Sequence, residues 1–323
     1  MIKAVDHRLH LLTGRSHPAL AQEVSKELGV KLCEVKLKNF ADGEVYCQIG
    51  ESVRGGDVFI MQSHASNVND AFIEQAIIID AAKRASAASI TAVCPYLGYA
   101  RQDRKSNGRE AISARLVVDI LATAGADRIM SIDLHSGQIQ GFLDGPFDHL
   151  VAMPTLLEYL DGHFKNKDIV IVSPDAGRVK NAELYSSALD SPIAIIHKQR
   201  STVKSNTVEA KYLIGDVKGK ICVIVDDMID TAGTVCAAAD LLAEHGAKSV
   251  YGIATHGVLS DPAITRIEAS AFSKVIITNT LPQDQKQSSK IEVLSIAPLI
   301  ASAIKAVFTG NSISELFGGK NQI

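Results

Sequence analysis

Two adjacent carboxylates, Asp226 and Asp227, follow the unbroken apolar run Ile221 to Val225. Such a run is typical of a parallel strand that helices cover on both faces, so it predicts that both acids stand at the carboxyl end of a buried strand. Carboxylate oxygens in that position suit sugar hydroxyl groups or a bridging Mg²⁺. The pair therefore indicates a binding site for a polar small molecule.

A loop of small residues continues from the two acids and contains Asp230, Thr231, Ala232, Gly233 and Thr234. A helix-forming run, Cys236 to Leu242, comes next. The backbone N–H groups and threonine hydroxyls of such a loop can donate hydrogen bonds to a phosphate, and the dipole of the following helix favours the anion. With the two acids, the loop indicates a phosphorylated sugar. The alternative is an ordinary strand-to-helix turn with solvated acids and a threonine cap.

Polar residues also follow several other predicted strands. The strand Ser89 to Tyr96 leads into a basic loop, Leu97 to Arg109, which is either solvated or binds an anion. His135, Asp175 and the segment Lys198 to Arg200 follow further strands. In a doubly wound sheet these strand ends all face one side. The collection offers cations for a polyphosphate and a His and an Asp for a metal ion, which favours phosphoryl transfer from a nucleotide.

Two of these features have simpler readings when taken alone. A histidine such as His135 is more often a hydrogen-bonded structural residue than a ligand. The polar segment Lys198 to Asn206 has no apolar anchor, so it is either a flap that closes over a substrate or a disordered surface loop. Neither motif of the common nucleotide-binding loops, G-x-x-x-x-G-K-[ST] or G-x-G-x-x-G, occurs in the chain.

Alternating strand-like and helix-like segments predict an α/β fold. One hairpin interrupts the alternation, with Val35 to Phe40 and Val45 to Ile49 as its strands. A local repeat aligns Val118–Gly137 with Ala239–Val258, and its paired residues lie 121 positions apart, His135 with His256 among them. The repeat predicts two copies of one α/β unit. We place the boundary within residues 141–153 and assign residues 1–150 and 151–323 to the two domains.

The whole composition sets limits on the class of protein. A length of 323 residues predicts about two domains, and 46% hydrophobic with 21% charged residues is typical of a globular protein. A net charge of -3 argues against a general affinity for nucleic acid. Five cysteines without metal-ligand spacing predict reduced core thiols. Without a leader or an apolar stretch of about 18 residues, we expect a cytoplasmic protein that does not bind membranes.

Several segments, in order, resemble those of the ribose-phosphate diphosphokinase family, also called phosphoribosyl pyrophosphate synthetases. They are Phe40–Glu44 (FADGE), Tyr99–Asp103 (YARQD), Asp133–His135 (DLH) with Gln138–Phe142 (QIQGF), Ser173–Gly177 (SPDAG), His197–Arg200 (HKQR), Asp226–Thr234 and Thr278–Pro282 (TNTLP). The match covers nearly the whole chain. One departure is Arg178, which follows Gly177 where many members have a second glycine.

The resemblance implies two tandem phosphoribosyltransferase-type domains, each a largely parallel sheet flanked by helices. It implies transfer of the diphosphoryl group of Mg-ATP to the C1 hydroxyl of ribose 5-phosphate, in a homo-oligomer that is a hexamer in most members. The implied ATP-binding residues are Phe40, Asp42, Glu44, Arg101 and Gln102, and the implied Mg²⁺ ligands are His135 and Asp175. The implied ribose 5-phosphate residues are Asp226, Asp227, Asp230, Thr231, Ala232, Gly233 and Thr234. Lys198 and Arg200 would be catalytic, by neutralising charge on the transferred group.

Two other functions share part of this pattern. A phosphoribosyltransferase has the same type of loop as Asp226 to Thr234, but the duplicated domain and the YARQD segment argue against it. A regulatory paralogue without activity would assemble with an active synthetase. We expect such a paralogue to lose some of the four residues Lys198, Arg200, His135 and Asp175, all of which this chain retains.

Overall fold

The computed structural model of the chain describes residues 8–65, 67–200, 209–284 and 288–317, with residues 198–200 and 209–211 described by their backbone alone. It divides into two compact units. Unit 1 consists of Met1–Val151, Thr280–Pro282 and Ser295–Ile323, and unit 2 consists of Ala152–Asn279 and Gln283–Leu294. The division differs from the predicted domains at the C-terminus, because Ser295 and the residues after it group with unit 1.

Unit 1 contains a five-stranded parallel sheet in the order β1-β4-β5-β6-β7 and a separate antiparallel hairpin, β2-β3. The elements are β1 (Leu9–Thr13), α1 (Pro18–Leu28), β2 (Val35–Asn39), β3 (Val45–Ile49), β4 (Asp57–Met61), α2 (Val68–Arg84), β5 (Ser89–Cys94), α3 (Ser113–Ala124), β6 (Arg128–Ile132) and β7 (Phe147–Leu150). A 3₁₀ helix, Gly137–Phe142, precedes β7. The predicted hairpin is confirmed.

Unit 2 contains a seven-stranded sheet in the order β10-β9-β8-β11-β12-β13-β14, parallel except for the edge pair β9 and β10. The elements are α4 (Met153–Phe164), β8 (Ile169–Ser173), α5 (Val179–Ala188), β9 (Ile193–Arg200), β10 (Glu209–Ile214), β11 (Ile221–Ile229), α6 (Gly233–Glu244), β12 (Ser249–Gly257), α7 (Ala263–Ala269), β13 (Phe272–Thr278) and β14 (Ile291–Leu294). The predicted α/β class, with a largely parallel sheet in each unit, is confirmed.

Buried apolar strands form the centre of each unit. Every residue of β8 is buried, and β5 is buried from Ile90 to Cys94, because helices cover both faces of a parallel sheet. All five cysteines are free thiols, and every one except the half-buried Cys47 is buried. Burial raises the pKa of Cys94 to about 12, so this thiol stays protonated as an ordinary core residue. The cysteines therefore behave as the sequence predicts.

The last helix, α8 (Ala297–Phe308), belongs to unit 1 and packs on α1. Each helix contributes an apolar stripe of small and branched residues, including Leu20 and Val24 on α1 and Ile300 and Ile304 on α8. A hydrogen bond from Ser295 Oγ to Glu23 Oε2 fixes the chain just before α8. Nothing in the local pattern of this amphipathic helix says which sheet it covers, so the sequence misplaced it.

The strand order repeats between the units, but not in the register that the local sequence repeat predicts. The order β1-β4-β5-β6-β7 corresponds to β8-β11-β12-β13-β14, so β12 is the counterpart of β5. The sequence alignment pairs β12 with β6, and the pairing of His256 with His135 is therefore wrong. The error has a physical origin, because a helix followed by a buried strand recurs along such a fold, and α3 and α6 also share a glycine just after the helix, Gly125 and Gly246.

The segment predicted as the domain boundary also contains an element that the sequence pattern misses. Phe147–Leu150 forms β7, which pairs with β6 in parallel. Its four residues alternate poorly and include Asp148 and His149, so they carry no strand signal. Among the described residues, no helix is both long enough and apolar enough to cross a membrane.

Candidate functional site

The strand that carries the two acids is longer than the apolar run predicts. β11 continues through Asp226 and Asp227 to Ile229, because it pairs with β12 over its whole length. Its ladder with β8 on the other side ends at Ile224. The sequence predicted that the acids follow the strand. They lie instead inside β11, in a part that is paired only with β12.

The chain that leaves β8 fills the space beside these acids. A 3₁₀ turn, Ala176–Arg178, follows Asp175, whose Oδ1 accepts hydrogen bonds from Gly177 N at 2.8 Å and Arg178 N at 3.2 Å. Both bonds end on Oδ1, so neither uses Oδ2. Ser173 Oγ donates to the carbonyl of Asp175 at 2.7 Å. Asp175 is thus held in place by its own turn.

Arg178 joins this turn to the two acids. Its Nε lies 3.2 Å from Asp226 Oδ1, and its Nη2 lies 2.7 Å from Asp227 Oδ1. The side chains of Asp226 and Asp227 are only 16% and 9% exposed, so this is a largely buried cluster of one arginine and two acids. The structure therefore brings together three of the predicted site residues in unit 2, through an arginine that the sequence marked only as a departure from the family pattern.

The cluster changes the protonation of Asp226. Burial, and then the charge of Asp227, raises the pKa of Asp226 to about 8, although the charge of Arg178 lowers it. A carboxyl with this pKa is mostly protonated at pH 7. Buried charge pairs with displaced pKa values are common at functional sites, because a ligand can complete the compensation that the protein leaves incomplete.

The predicted phosphate loop has the backbone shape that its residues suggest. Ala232 adopts a left-handed conformation with φ of 59°, and α6 begins directly after it at Gly233. The helix therefore starts three residues before the predicted Cys236, so its first N–H groups belong to the loop. Arg266 Nη1 donates to the carbonyl of Thr231 at 2.8 Å and holds the turn. A helix N-terminus with an exposed Thr231 and Thr234 can bind a phosphate.

In unit 1, the basic loop after β5 exposes Arg101 and Gln102. Tyr99 takes a left-handed φ of 65°, which turns the chain out of the sheet. Gln102 N donates to Tyr99 O at 2.9 Å, and Ser113 Oγ donates to Gln102 Oε1 at 2.6 Å, at the start of α3. The loop is thus anchored at Gln102, while its basic residues Arg104, Lys105 and Arg109 are exposed.

His135 is half-buried and lies between β6 and the 3₁₀ helix of unit 1. The backbone at this strand end is sharply turned, with φ of 37° at Asp133. Leu134 N donates to His149 Nε2 at 3.0 Å, which ties the turn to β7. The missed strand β7 thus contributes to the position of a predicted ligand.

The hairpin turn presents the remaining predicted nucleotide residues of unit 1. Phe40 N donates to Glu44 O at 2.8 Å, and both Asp42 and Glu44 are exposed. The ring of Phe40 is 51% exposed and meets Tyr46 edge to face, with centroids 6.1 Å apart. An exposed aromatic ring at a rigid turn offers a stacking surface for a flat ligand.

The two predicted catalytic residues fall at the edge of what the structure describes. Lys198 and Arg200 lie in β9, where their backbone pairs with Lys211 and Glu209. Their side chains lie outside the described residues, and so do residues 201–206 of the predicted flap. The roles of Lys198 and Arg200 therefore stay predictions.

Comparisons with known proteins agree along the chain. Residues 9–125 match the N-terminal domain of ribose phosphate pyrophosphokinase, and residues 210–318 match the phosphoribosyl synthetase-associated domain. The ribose-phosphate pyrophosphokinase of Bifidobacterium longum is 54% identical over 318 residues, which cover 97% of this chain and 93% of the relative. This chain belongs to the ribose-phosphate pyrophosphokinase family.

Two further relatives extend the agreement. The ribose-phosphate pyrophosphokinase of Streptomyces coelicolor is 51% identical over 313 residues, which cover 97% of each chain. The crystal structure of phosphoribosylpyrophosphate synthetase from Mycobacterium smegmatis is 51% identical, covers 94% of this chain and 100% of its own, and superimposes with a TM-score of 0.89. The resemblance recognised from the sequence segments is therefore confirmed at the level of family, and the family is one of transferases.

Proposed function

We propose that this chain is a ribose-phosphate diphosphokinase that transfers the diphosphoryl group of Mg-ATP to the C1 hydroxyl of ribose 5-phosphate. The products are 5-phosphoribosyl 1-diphosphate and AMP. The hydroxyl oxygen bonds to the β-phosphorus, the bond from that phosphorus to the oxygen bridging to the α-phosphate breaks, and the hydroxyl proton is lost to solvent. Family membership and the arrangement around β11 together support this reaction.

The observation that carries the proposal is the combination of an acid pair and a helix N-terminus at one strand end. Asp226 and Asp227 offer acceptors to ribose hydroxyls. The 5-phosphate suits the turn before α6 and the first residues of that helix, which are Asp230, Thr231, Ala232, Gly233 and Thr234. The site therefore matches both polar ends of a phosphorylated sugar.

For the nucleotide, we assign Phe40, Asp42 and Glu44 of the hairpin and Arg101 and Gln102 of the basic loop. The exposed ring of Phe40 suits stacking on adenine, and its acidic neighbours can accept from the amino group of the base. Arg101 is exposed at the start of a basic loop, whose cationic side chains can form ion pairs with a polyphosphate. Lys198 and Arg200 would stabilise charge on the transferred group.

We assign Mg²⁺ ligands in each unit separately, His135 in unit 1 and Asp175 in unit 2. The carboxylate of Asp175 fits such an ion, because its two backbone hydrogen bonds fix the group through Oδ1 and do not use Oδ2. Bound Mg²⁺ would neutralise and orient the phosphates. We also propose a cytoplasmic location and a homo-oligomer, a hexamer as in most of the family. Light scattering of the purified protein tests the number of subunits.

One assay tests the reaction. The purified protein is incubated with Mg-ATP and ribose 5-phosphate, and AMP and 5-phosphoribosyl 1-diphosphate are measured together. We expect equal amounts of both products. A phosphoribosyltransferase would consume 5-phosphoribosyl 1-diphosphate instead, and an inactive regulatory paralogue would form neither product, so either result would refute the proposal.

A matched pair of variants ties the activity to β11. Asp227→Asn should lower kcat/KM for ribose 5-phosphate by about 10- to 100-fold, since a hydrogen bond to a charged group contributes about 1.5–3 kcal/mol. The control is Asp216→Asn, which removes an acid of the same unit whose side chain is 72% exposed. Equal losses in both variants would remove Asp227 from the sugar site.

A further inference from the structure

Three potential metal ligands lie close together in unit 1. The ligand atoms of His10, Cys33 and Glu51 all lie within 4.8 Å of one another. β1 carries His10, Cys33 follows the bridge between Leu11 and Leu32, and Glu51 comes just after β3. Their spacing along the chain matches no metal-binding motif, so only the fold brings them together.

The distance between two of these ligand atoms already suits a shared ion. Cys33 Sγ lies 3.6 Å from His10 Nδ1. A tetrahedral Zn²⁺ with bonds of about 2.3 Å to sulfur and about 2.1 Å to nitrogen separates the two ligands by about 3.6 Å. The pair therefore needs little movement to bind such an ion.

The surrounding backbone fixes the two buried ligands. A Cβ atom at Gly56 would lie 2.4 Å from His10 Cδ2 and 2.7 Å from Nε2, so the glycine makes room for this edge of the ring. That contact leaves Nδ1 on the side of Cys33. Cys33 N donates to Leu11 O at 2.9 Å, which fixes the cysteine against β1. Ligands on a rigid sheet bind with little reorganisation.

The third ligand differs from the other two in its exposure to solvent. His10 and Cys33 are 8% and 7% exposed, whereas Glu51 is exposed. An exposed glutamate can move to complete the site, and the solvent beside it provides both an entry path and a water ligand. A buried pair with one exposed acid at the surface is thus open to an ion from solution.

We propose that His10, Cys33 and Glu51 form a binding site for a divalent transition metal, with Zn²⁺ as the best fit. Thiolate and imidazole ligands select such metals over Mg²⁺, which prefers oxygen ligands. The thiolate and the carboxylate together supply two negative charges, so a dication makes the site neutral. Three protein ligands and a water would complete a tetrahedron. This site is separate in chemistry from the proposed Mg²⁺ ligands.

The test uses Co²⁺ as a spectroscopic probe on the full chain after treatment with a chelator. Co²⁺ bound to a thiolate has a sulfur-to-metal charge-transfer band in the near ultraviolet, which oxygen and nitrogen ligands alone do not produce. We expect the band to saturate at one Co²⁺ per chain and to disappear when Zn²⁺ is added. Zn²⁺ should also raise the melting temperature, because it binds the folded state.

Matched variants decide which residues hold the ion. Cys33→Ser should abolish the band, while Cys47→Ser, which removes the half-buried thiol of β3, should keep it. Glu51→Gln should weaken Co²⁺ binding by roughly tenfold or more, while Glu34→Gln, an exposed acid next to Cys33, should not. Since Glu51 and Glu34 are both exposed, neither change should disturb folding. Absence of the band in the unmodified chain, or the same affinity in Glu51→Gln, would overturn the proposal.

Discussion

Arg178 Nη2 lies 2.7 Å from Asp227 Oδ1, in a contact in which both side chains are mostly buried. The same guanidinium also reaches Asp226 Oδ1, so one cation contacts both of the acids that we assign to sugar hydroxyls. Arg178 comes from the turn after β8, and the acids come from β11, beyond the point where the two strands stop pairing. The opening between these strands thus creates the space for the cluster.

Replacement of Arg178 should shift the pH dependence of sugar binding. Binding of ribose 5-phosphate needs ionised acids, so its affinity should rise as the pH increases through the pKa of Asp226, about 8. Arg178→Ala removes a charge that lowers this pKa, so the midpoint should move up by roughly one pH unit. Calorimetric titration of ribose 5-phosphate between about pH 6 and 10 measures the midpoint.

The control for this experiment is Lys180→Ala, which removes an exposed cation from α5 and should leave the midpoint unchanged. An unchanged midpoint in Arg178→Ala would show that Arg178 does not control the ionisation of Asp226.

Acid should destabilise unit 1 through His64. Gly98 N donates to His64 Nδ1 at 3.0 Å, so Nε2 carries the proton that is donated to Gln75 Oε1 at 2.9 Å. Burial lowers the pKa of His64 to about 4 from 6.5, so the unfolded chain binds more protons between these values. The free energy of unfolding should therefore fall by up to about 3 kcal/mol as the pH drops from 6.5 to 4.

Denaturant unfolding at a series of pH values measures this effect. His64→Gln should flatten the slope in that window, whatever its effect on stability at pH 7. His245→Gln is the control, since His245 is exposed on the surface just after α6. If His64→Gln and the unmodified chain have the same slope, another group causes the acid sensitivity.

Two ion pairs of similar length, one with a buried carboxylate and one with both side chains exposed, should differ in their contribution to stability. Arg15 Nε lies 2.5 Å from Glu74 Oε2, where the glutamate side chain is only 5% exposed. In Arg15→Ala the backbone N–H of residue 15 and Gln62 Nε2 would still donate to Glu74 Oε1, so the lost guanidinium contact should cost about 2 kcal/mol. Urea unfolding midpoints measure the change.

The matched control is Arg84→Ala, which breaks a 2.7 Å pair with Asp80 on the surface of the same helix as Glu74. That pair is screened by water, so its loss should leave the midpoint within error. A similar cost for both changes would contradict the role of burial.

The geometry of the β11 segment differs from the one that its sequence predicts, while its chemistry stays a prediction. Two acids followed by small residues indicate a sugar-phosphate loop. This indication does not depend on the residue at which the strand ends. The apolar run ends at Val225, but the strand ends at Ile229, because pairing with β12 continues when pairing with β8 stops. The apolar residues of a strand indicate which part of it is buried between helices. They do not indicate how far it stays paired with each neighbouring strand.

Long-range placement accounts for the other differences. Arg178 was visible only as an unusual residue after Gly177, since no local pattern says that its side chain reaches a strand about 50 positions away. The strand β7 carries too few apolar residues to be recognised, and α8 looks the same whichever unit it covers. These outcomes depend on tertiary contacts, which no local signal encodes.

The packing of α8 on α1 has a consequence for synthesis on the ribosome. The stripe that includes Leu20 and Val24 is made early, but its covering helix, Ala297–Phe308, is among the last parts of the chain to emerge. At a translation rate of about 5–20 residues per second, the first sheet waits roughly ten seconds or more for its final layer. All of unit 2 is synthesised during that interval. The nascent chain can therefore finish its second unit before its first, and meanwhile it presents an uncovered apolar surface of the kind that chaperones bind.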